Sequence, residues 1–175
     1  MERSNIPRIL LEKLQQLEPD SEFTGSLPKI RSSSGKTYFA KTGSFLEKEQ
    51  YVGEAESLKA IESAAPGLAP NVLSFGVGNE DKPYFICEYK DLGRLDDETG
   101  KVLAKRLATE LHTHQSAQGF GFHVPTYCGA TRLKNGWFPS WEECFNTMIG
   151  DLLSELADRR YYDELCSRGE EIRRQ

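Results

Sequence analysis

Residues 37–58 read TYFAKTGSFLEKEQYVGEAESL, and this stretch decides the fold that we predict. Its first five residues form an extended segment that ends on Lys41. Ser44 and Glu47 have the spacing of a capping box, in which each side chain satisfies a backbone N–H left free at a helix start. We therefore predict a strand, a short turn and a helix over about residues 45–63, with Glu54 near the middle of that helix.

The segments on either side extend this pattern into a small sheet. An amphipathic helix is predicted over residues 7–18, because apolar residues recur every three or four positions and Pro19 ends it. Turn-forming residues separate several short apolar segments that are typical of strands. The predicted strands are 22–25, 27–31, 37–41, 71–77 and 84–88. The order is therefore helix, three strands, helix, two strands.

The remainder of the chain is predicted to be mainly helical. Leucines spaced by four predict a helix that ends at Gln118-Gly119. Residues 120–139 are rich in Gly, Pro and aromatic side chains without a sustained period, so we expect an ordered loop without backbone ladders. A second capping box at 140–143 predicts another amphipathic helix, and the charged residues 158–175 predict a weakly packed one.

Composition narrows the classes of function. The 175 residues carry a net charge of −5, which argues against non-specific binding to nucleic acid. No apolar run approaches the roughly 20 residues that cross a bilayer, so we expect a cytoplasmic protein without a membrane span. The four cysteines form no CxxC pair and no zinc-site spacing, so reduced thiols are expected.

Lys41 and Glu54 form the most informative pair of charged residues. In the small lobe of a kinase, a strand Lys holds the α- and β-phosphates of ATP while a helix Glu fixes its ammonium group. The alternative is that Lys41 ends an edge strand in solvent and Glu54 lies on a wet helix face. The order of elements favours the kinase interpretation, in which the exit of strand 84–88 offers backbone groups to an adenine ring.

Five stretches of the chain resemble the fructosamine kinases, also called ketosamine or protein-ribulosamine 3-kinases. The most specific of these stretches is FGFHVPTYCG at residues 120–129, which is followed by two spaced Trp and a Phe-containing helix. The other four are Phe39-Ala40-Lys41, GEAESL at 53–58, FICEY at 85–89 and Leu111-His112. The resemblance covers about residues 23–156.

The resemblance implies an α+β fold like that of aminoglycoside phosphotransferases, with a five-stranded antiparallel small lobe over residues 1–88. Residues 89–175 would form the hinge and part of a helical lobe. The implied reaction uses ATP and Mg²⁺ to phosphorylate the 3-hydroxyl of a sugar joined through an amine to protein, so ATP and a glycated protein or small ketosamine are the expected partners.

The same resemblance implies roles for individual residues. Lys41 and Glu54 become the phosphate-holding ion pair. Glu88, Tyr89 and Lys90 become the hinge that contacts adenine. His123, in the aromatic loop, either meets substrate or bonds a backbone carbonyl, and the sequence leaves both readings open.

The chain departs from the family pattern in its catalytic residues. The family carries a His-Gly-Asp segment whose Asp accepts the sugar hydroxyl proton, a downstream Asn and a later Asp that holds magnesium, and none of these occurs in the 175 residues. Asp151 follows Ile-Gly instead and is interpreted as a solvent-facing helix residue. We therefore expect a chain truncated before the catalytic loop, with no catalytic residue and no magnesium ligand. Three readings stay open: a kinase part inactive alone, a non-catalytic nucleotide-binding or interaction module, or a truncated product without an independent role.

Overall fold

The fold is described from a computed structural model, which describes residues 5–78, 81–159 and 161–173. The chain divides into two compact units, one that extends to His114 and one that begins at Gln115. The predicted boundary between residues 88 and 89 falls within the first of these units and stays a prediction.

The first unit is built on one five-stranded antiparallel sheet of order β1-β2-β3-β5-β4. Its helices are α1 (Arg8–Leu17), α2 (Lys48–Ala64) and α3 (Asp97–Arg106). Its strands are β1 (Phe23–Ser26), β2 (Lys29–Ser32), β3 (Thr37–Thr42), β4 (Val72–Val77) and β5 (Pro83–Glu88). The predicted α+β class, the five-stranded antiparallel sheet and the order of the first seven elements are confirmed.

One face of the sheet packs against α1. Successive side chains of a strand point to opposite faces, and on β3 this places Tyr38 and Ala40 in the cluster that contains Leu10 and Leu14 of α1. Leu10, Leu14 and Ala40 are fully buried. Burying a leucine side chain contributes roughly 1.5–3 kcal/mol, so α1 is an integral part of this layer.

The other face packs against α2, through a second cluster formed by Tyr51, Ala55, Phe85 and Cys87. The helix starts where the sequence predicts it. The Ser44 backbone N–H and hydroxyl donate to a Glu47 carboxylate oxygen at 2.7 and 2.8 Å, and a 3₁₀ turn over Phe45–Glu47 leads into α2. This cap fixes the entry of α2 directly after the strand that carries Lys41.

The helix that follows the hinge is shorter than predicted. The α-helix α3 ends at Arg106, continues as one π-helical turn over Leu107–Leu111 and gives way to turns and loop. The prediction of a helix that reaches Gln118 is wrong. The spacing of the leucines does not reveal that the α-helix widens into a π-helical turn and then ends. The Arg106 Nη2 donates to the Glu110 carboxylate at 2.7 Å and to the Pro66 carbonyl at 2.8 Å. The second of these bonds ties this end of the helix to the residues after α2.

The second unit contains strands where the sequence predicted a loop without ladders, and that prediction is wrong. The strands are β6 (Phe120–Phe122), β7 (Thr126–Cys128), β8 (Thr131–Leu133) and β9 (Gly136–Phe138). Strand β7 pairs with β8, and β6 pairs with β9, both antiparallel. Gly121 has a φ of +131°, and a Cβ there would lie 1.8 Å from the Gly136 carbonyl oxygen. The glycine therefore permits a close pairing that the hydrophobic pattern does not reveal.

Two helices complete the second unit, α4 (Trp141–Asp158) and α5 (Asp163–Arg173). The Ser140 hydroxyl accepts from the Glu143 backbone N–H at 3.2 Å and starts α4 as predicted. Asp151 is not free in solvent, since its carboxylate pairs with Lys134 at 3.2 Å and the side chain is 29% exposed. None of the helices in the described part of the chain has the length and apolar character needed to cross a membrane.

Candidate functional site

Lys41 and Glu54 meet across the junction of β3 and α2. The Lys41 Nζ donates to the Glu54 Oε2 at 2.5 Å, and the two side chains are 30% and 35% exposed. Strand β3 is the central strand of the sheet and not an edge strand. The arrangement therefore differs from the alternative in which the two residues face solvent separately, and it leaves the ammonium group partly open to an anion.

Two aromatic rings surround the same ammonium group. The Lys41 Nζ lies 4.6 Å from the centroid of the Tyr51 ring and 5.6 Å from that of Phe85. Burial, with smaller contributions from the charges of Glu47 and Glu54, raises the pKa of Tyr51 to about 12. The Tyr51 phenol is therefore neutral at physiological pH, and among the described residues Glu54 is the carboxylate that forms an ion pair with Lys41.

A cavity of about 300 Å³ lies beside this ion pair. Four of the five residues predicted to bind ATP line it, namely Glu54, Glu88, Tyr89 and Lys90. The fifth, Lys41, is bonded to Glu54. The other lining residues are Phe39, Leu58, Pro70, Phe85, Cys87 and Leu92. Such a mixture of apolar walls and a few convergent polar groups is typical of small-molecule sites.

Cys87 contributes an apolar wall to this cavity and no reactive thiolate. It is 4% exposed, and burial is the main cause that raises its pKa to about 11. The thiol is consequently protonated at neutral pH. A buried free cysteine of this kind behaves as a small hydrophobic residue.

The predicted hinge at residues 88–90, at the end of β5, is held by backbone and side-chain contacts. The Glu88 N–H donates to the Asn71 carbonyl at 2.9 Å, and the Tyr89 N–H donates to the Thr37 carbonyl at 3.4 Å. Lys90 pairs with the Glu88 carboxylate at 2.8 Å, and this contact is the main cause that lowers the pKa of Glu88. The Lys29 Nζ lies 4.2 Å from the centroid of the Tyr89 ring.

A larger cavity of about 670 Å³ opens at the same end of the sheet. It shares Glu88 and Tyr89 with the smaller cavity but is lined by neither Lys41 nor Glu54. Its two lysines are already engaged, since Lys36 pairs with Glu18 and Lys29 lies over the Tyr89 ring. We place the candidate site in the smaller cavity because it is lined by Glu54, the partner of Lys41, and a polyphosphate requires a cation.

Several residues of this site were not predicted from the sequence. For Phe39, the alternation of side chains along a strand was an available signal. Phe39 and Lys41 are two residues apart on β3, and Phe85 and Cys87 are two apart on β5. Alternation along a strand therefore places Phe39 on the face of Lys41. The contacts of Tyr51 and Lys29 depend on packing and register, for which the sequence carries no direct signal.

His123 belongs to the second unit and lies beside Phe122, with 4.7 Å between the ring centroids. A role in contacting substrate stays a prediction. For metal binding, no group of three or more His, Cys, Asp and Glu residues that could hold an ion occurs within residues 5–78, 81–159 and 161–173.

Comparison with known proteins gives a family and a fold. The sequence model of the fructosamine kinase family matches residues 19–174. The crystal structure of a candidate fructosamine-3-kinase from Haemophilus somnus 129PT superposes with a TM-score of 0.67 at 17% sequence identity. The alignment covers 86% of this chain and 54% of that one, so the chain spans about half the length of this solved relative. No curated protein matches the sequence.

Proposed function

The chain belongs to the fructosamine kinase family, and from that membership we propose that its first unit binds ATP for phosphorylation of a ketosamine, a sugar joined through an amine to protein. One observation carries this proposal. The five residues predicted to bind ATP span 49 positions, from Lys41 to Lys90, yet four of them line one cavity and the fifth, Lys41, forms an ion pair with one of those four. The arrangement supplies an apolar slot and a cation, the two features that a nucleotide needs.

The residues present fit ATP, which supplies the phosphoryl group when bound. Phe39, Phe85 and Cys87 offer apolar surface for a planar base. The Glu88 and Tyr89 N–H groups are already engaged with Asn71 and Thr37, so the Lys90 N–H is the hinge donor for which no backbone partner is seen among the described residues. We assign that donor to the adenine ring.

At the other end of the cavity, Lys41 would hold phosphate oxygens. Glu54 keeps the ammonium group in place through a charge-assisted hydrogen bond, the stronger kind of hydrogen bond in proteins. Positioning and electrostatic stabilisation carry most of the catalysis in phosphoryl transfer.

A nucleotide-binding module without catalysis is the second candidate, and one observation favours it. The 175 residues contain no His-Gly-Asp segment, so the carboxylate that the family uses to accept the hydroxyl proton has no counterpart in this sequence. Both candidates require ATP binding, and they differ in whether a ketosamine is phosphorylated.

Calorimetric titration with ATP tests the shared step. We expect Lys41→Met to weaken ATP binding by roughly 1–3 kcal/mol, the usual contribution of a charge-assisted contact. Lys59→Met is a matched control, since Lys59 also pairs with a glutamate at 2.9 Å and lies 4.3 Å from an aromatic ring centroid. Lys59 does not line the cavity, so this variant should bind ATP like the parent. Equal ATP affinity of Lys41→Met and parent would remove Lys41 from the site.

A further inference from the structure

Tyr51 lies on α2 three residues before Glu54, so both side chains project from the same side of the helix. Tyr51 is 6% exposed, and its ring faces Lys41 at 4.6 Å while Glu54 bonds the same ammonium group at 2.5 Å. A lysine held by one carboxylate alone can swing about that single contact. The ring limits the lysine from a second direction.

Gly43 leaves the space that the Tyr51 ring occupies. A Cβ at Gly43 would lie 2.9 Å from Tyr51 Cε2 and 3.0 Å from Tyr51 Cζ, closer than real Cβ contacts. It would also lie 3.0 Å from the Glu47 Oε2. A side chain at position 43 would therefore collide with the ring, so glycine at this position lets the ring lie beside the end of β3.

The ring attracts the ammonium group without neutralising it. A cation over an aromatic face is attracted to the ring quadrupole, whereas a second carboxylate would cancel the charge that a phosphate needs. Tyr51 carries no charge at physiological pH, since burial keeps its pKa at about 12. Glu54 is the carboxylate bonded to Lys41. The pKa of Glu47 is lowered mainly by its hydrogen bonds to Ser44, with a smaller contribution from the charge of Lys41. The Tyr51 ring adds no further negative charge, so the ammonium group can still act on a ligand.

We propose that Tyr51, seated by Gly43, is a positioning residue that holds the Lys41 ammonium group beside Glu54 for binding nucleotide phosphates. This inference rests on the proposed ATP-binding function. It assigns to the aromatic face of Tyr51 a role distinct from its packing against Ala55 and Phe85 in the core.

Two substitutions at Tyr51 distinguish the contribution of the aromatic face from that of the hydroxyl group and from that of side-chain size. Tyr51→Phe keeps the ring, and Tyr51→Leu removes it while leaving an apolar side chain. We expect Tyr51→Leu to raise the Kd for ATP about tenfold, in the range of a partly desolvated cation–π contact, and Tyr51→Phe to bind like the parent. In a Lys41→Met background, Tyr51→Leu should cause no further loss.

The NMR shift of the Lys41 ε-methylene protons in the nucleotide-free chain gives a readout that does not depend on ATP binding. We expect an upfield ring-current shift in the parent and in Tyr51→Phe that becomes smaller in Tyr51→Leu, where the more distant Phe85 ring still contributes. If Tyr51→Leu does not fold, as judged by urea unfolding, Tyr51→Met provides the ring-free variant.

The inference is overturned if the upfield shift in the ring-free variant is as large as in the parent, or if that variant binds ATP like the parent. Equal losses in Tyr51→Phe and Tyr51→Leu would also overturn it, since they would assign the effect to the hydroxyl. If the parent fails to bind ATP, the proposed function fails and the inferred role in phosphate binding fails with it; the ε-methylene shift still shows separately whether Tyr51 holds Lys41.

Discussion

Glu18 shows how a single carboxylate ties α1 to the sheet. The Glu18 side chain is 10% exposed and pairs with Lys36 at 2.6 Å. The Ser34 hydroxyl donates to the same carboxylate at 3.1 Å. The contact with Lys36, followed by those of Ser32 and Tyr38, lowers the pKa of Glu18 to about 2. A group whose pKa is lowered by folding stabilises the folded state while it is ionised.

This linkage predicts a pH-dependent stability. An unfolded Glu titrates near 4.3, so the contribution of Glu18 is complete above that pH and is lost as the pH falls toward about 2. We expect Glu18→Gln to lower the free energy of unfolding at pH 7, and the gap to the parent to narrow between pH 4.3 and 2. Urea unfolding across this range measures the gap.

Glu12→Gln is the control for this experiment. Glu12 pairs with Arg8 on an exposed helix face, where ion pairs contribute little, so its substitution should leave stability nearly unchanged at every pH. A gap for Glu18→Gln that stays constant from pH 7 to 2 would show that charge is not what Glu18 contributes.

Part of the candidate site could be predicted from the sequence, because the predicted ends of a strand and a helix determine which side chains lie close together. Lys41 and Glu54 fall at the end of a strand and within the next helix, and a capping box marks the junction, so their proximity follows from local signals. Lys29 reaches Tyr89 through the pairing of β2 with β3 and of β3 with β5. Contacts of that kind depend on the register of the strands in the sheet, which could not be predicted from the amino-acid sequence.

At the scale of elements, prediction succeeded for helices α1 and α2 and failed for the short strands β6 to β9. Helices α1 and α2 each bury an apolar face, and their bounds lie within a few residues of those predicted. Strands β6 to β9 have three residues each. Three residues are too few for an alternating pattern to be recognised, so tertiary pairing decides their conformation.

The pairing of β6 with β9 depends on one residue, Gly121. Gly121→Ala would place a methyl group against the Gly136 carbonyl in a left-handed conformation, and we expect a loss of about 2–4 kcal/mol, at the upper end for single substitutions. Hydrogen exchange at the Phe122 and Phe138 amides should accelerate. Gly129→Asn is the control, because its φ of +60° suits Asn and nothing lies near its Cβ position. Unchanged exchange in Gly121→Ala would contradict the pairing.

At the scale of the whole molecule, the division into units predicts where nucleotide binding lies. The unit that ends at His114 contains Lys41, Glu54 and the hinge residues 88–90. We expect a polypeptide of residues 1–114 to bind ATP as tightly as the 175-residue chain, and neither to phosphorylate a ribulosamine in the presence of magnesium. Calorimetry and a phosphate-transfer assay measure the two outcomes.

Either of two results would contradict this expectation. Loss of ATP affinity in a folded 1–114 polypeptide would mean that residues of the second unit contribute to the site. Phosphorylation by the 175-residue chain that disappears in Lys41→Met would show that a carboxylate other than the family's His-Gly-Asp residue accepts the hydroxyl proton.

The alternation of β3 between two packed faces has a consequence for how the gene can change. Tyr38 and Ala40 face α1 while Phe39 and Lys41 face α2, so gaining or losing one codon within the strand would exchange the faces. Lys41 would then enter the apolar layer beneath α1, and Glu54 would lose its partner. Length changes in descendants of this gene should therefore fall outside the stretch 37–41, which keeps its length.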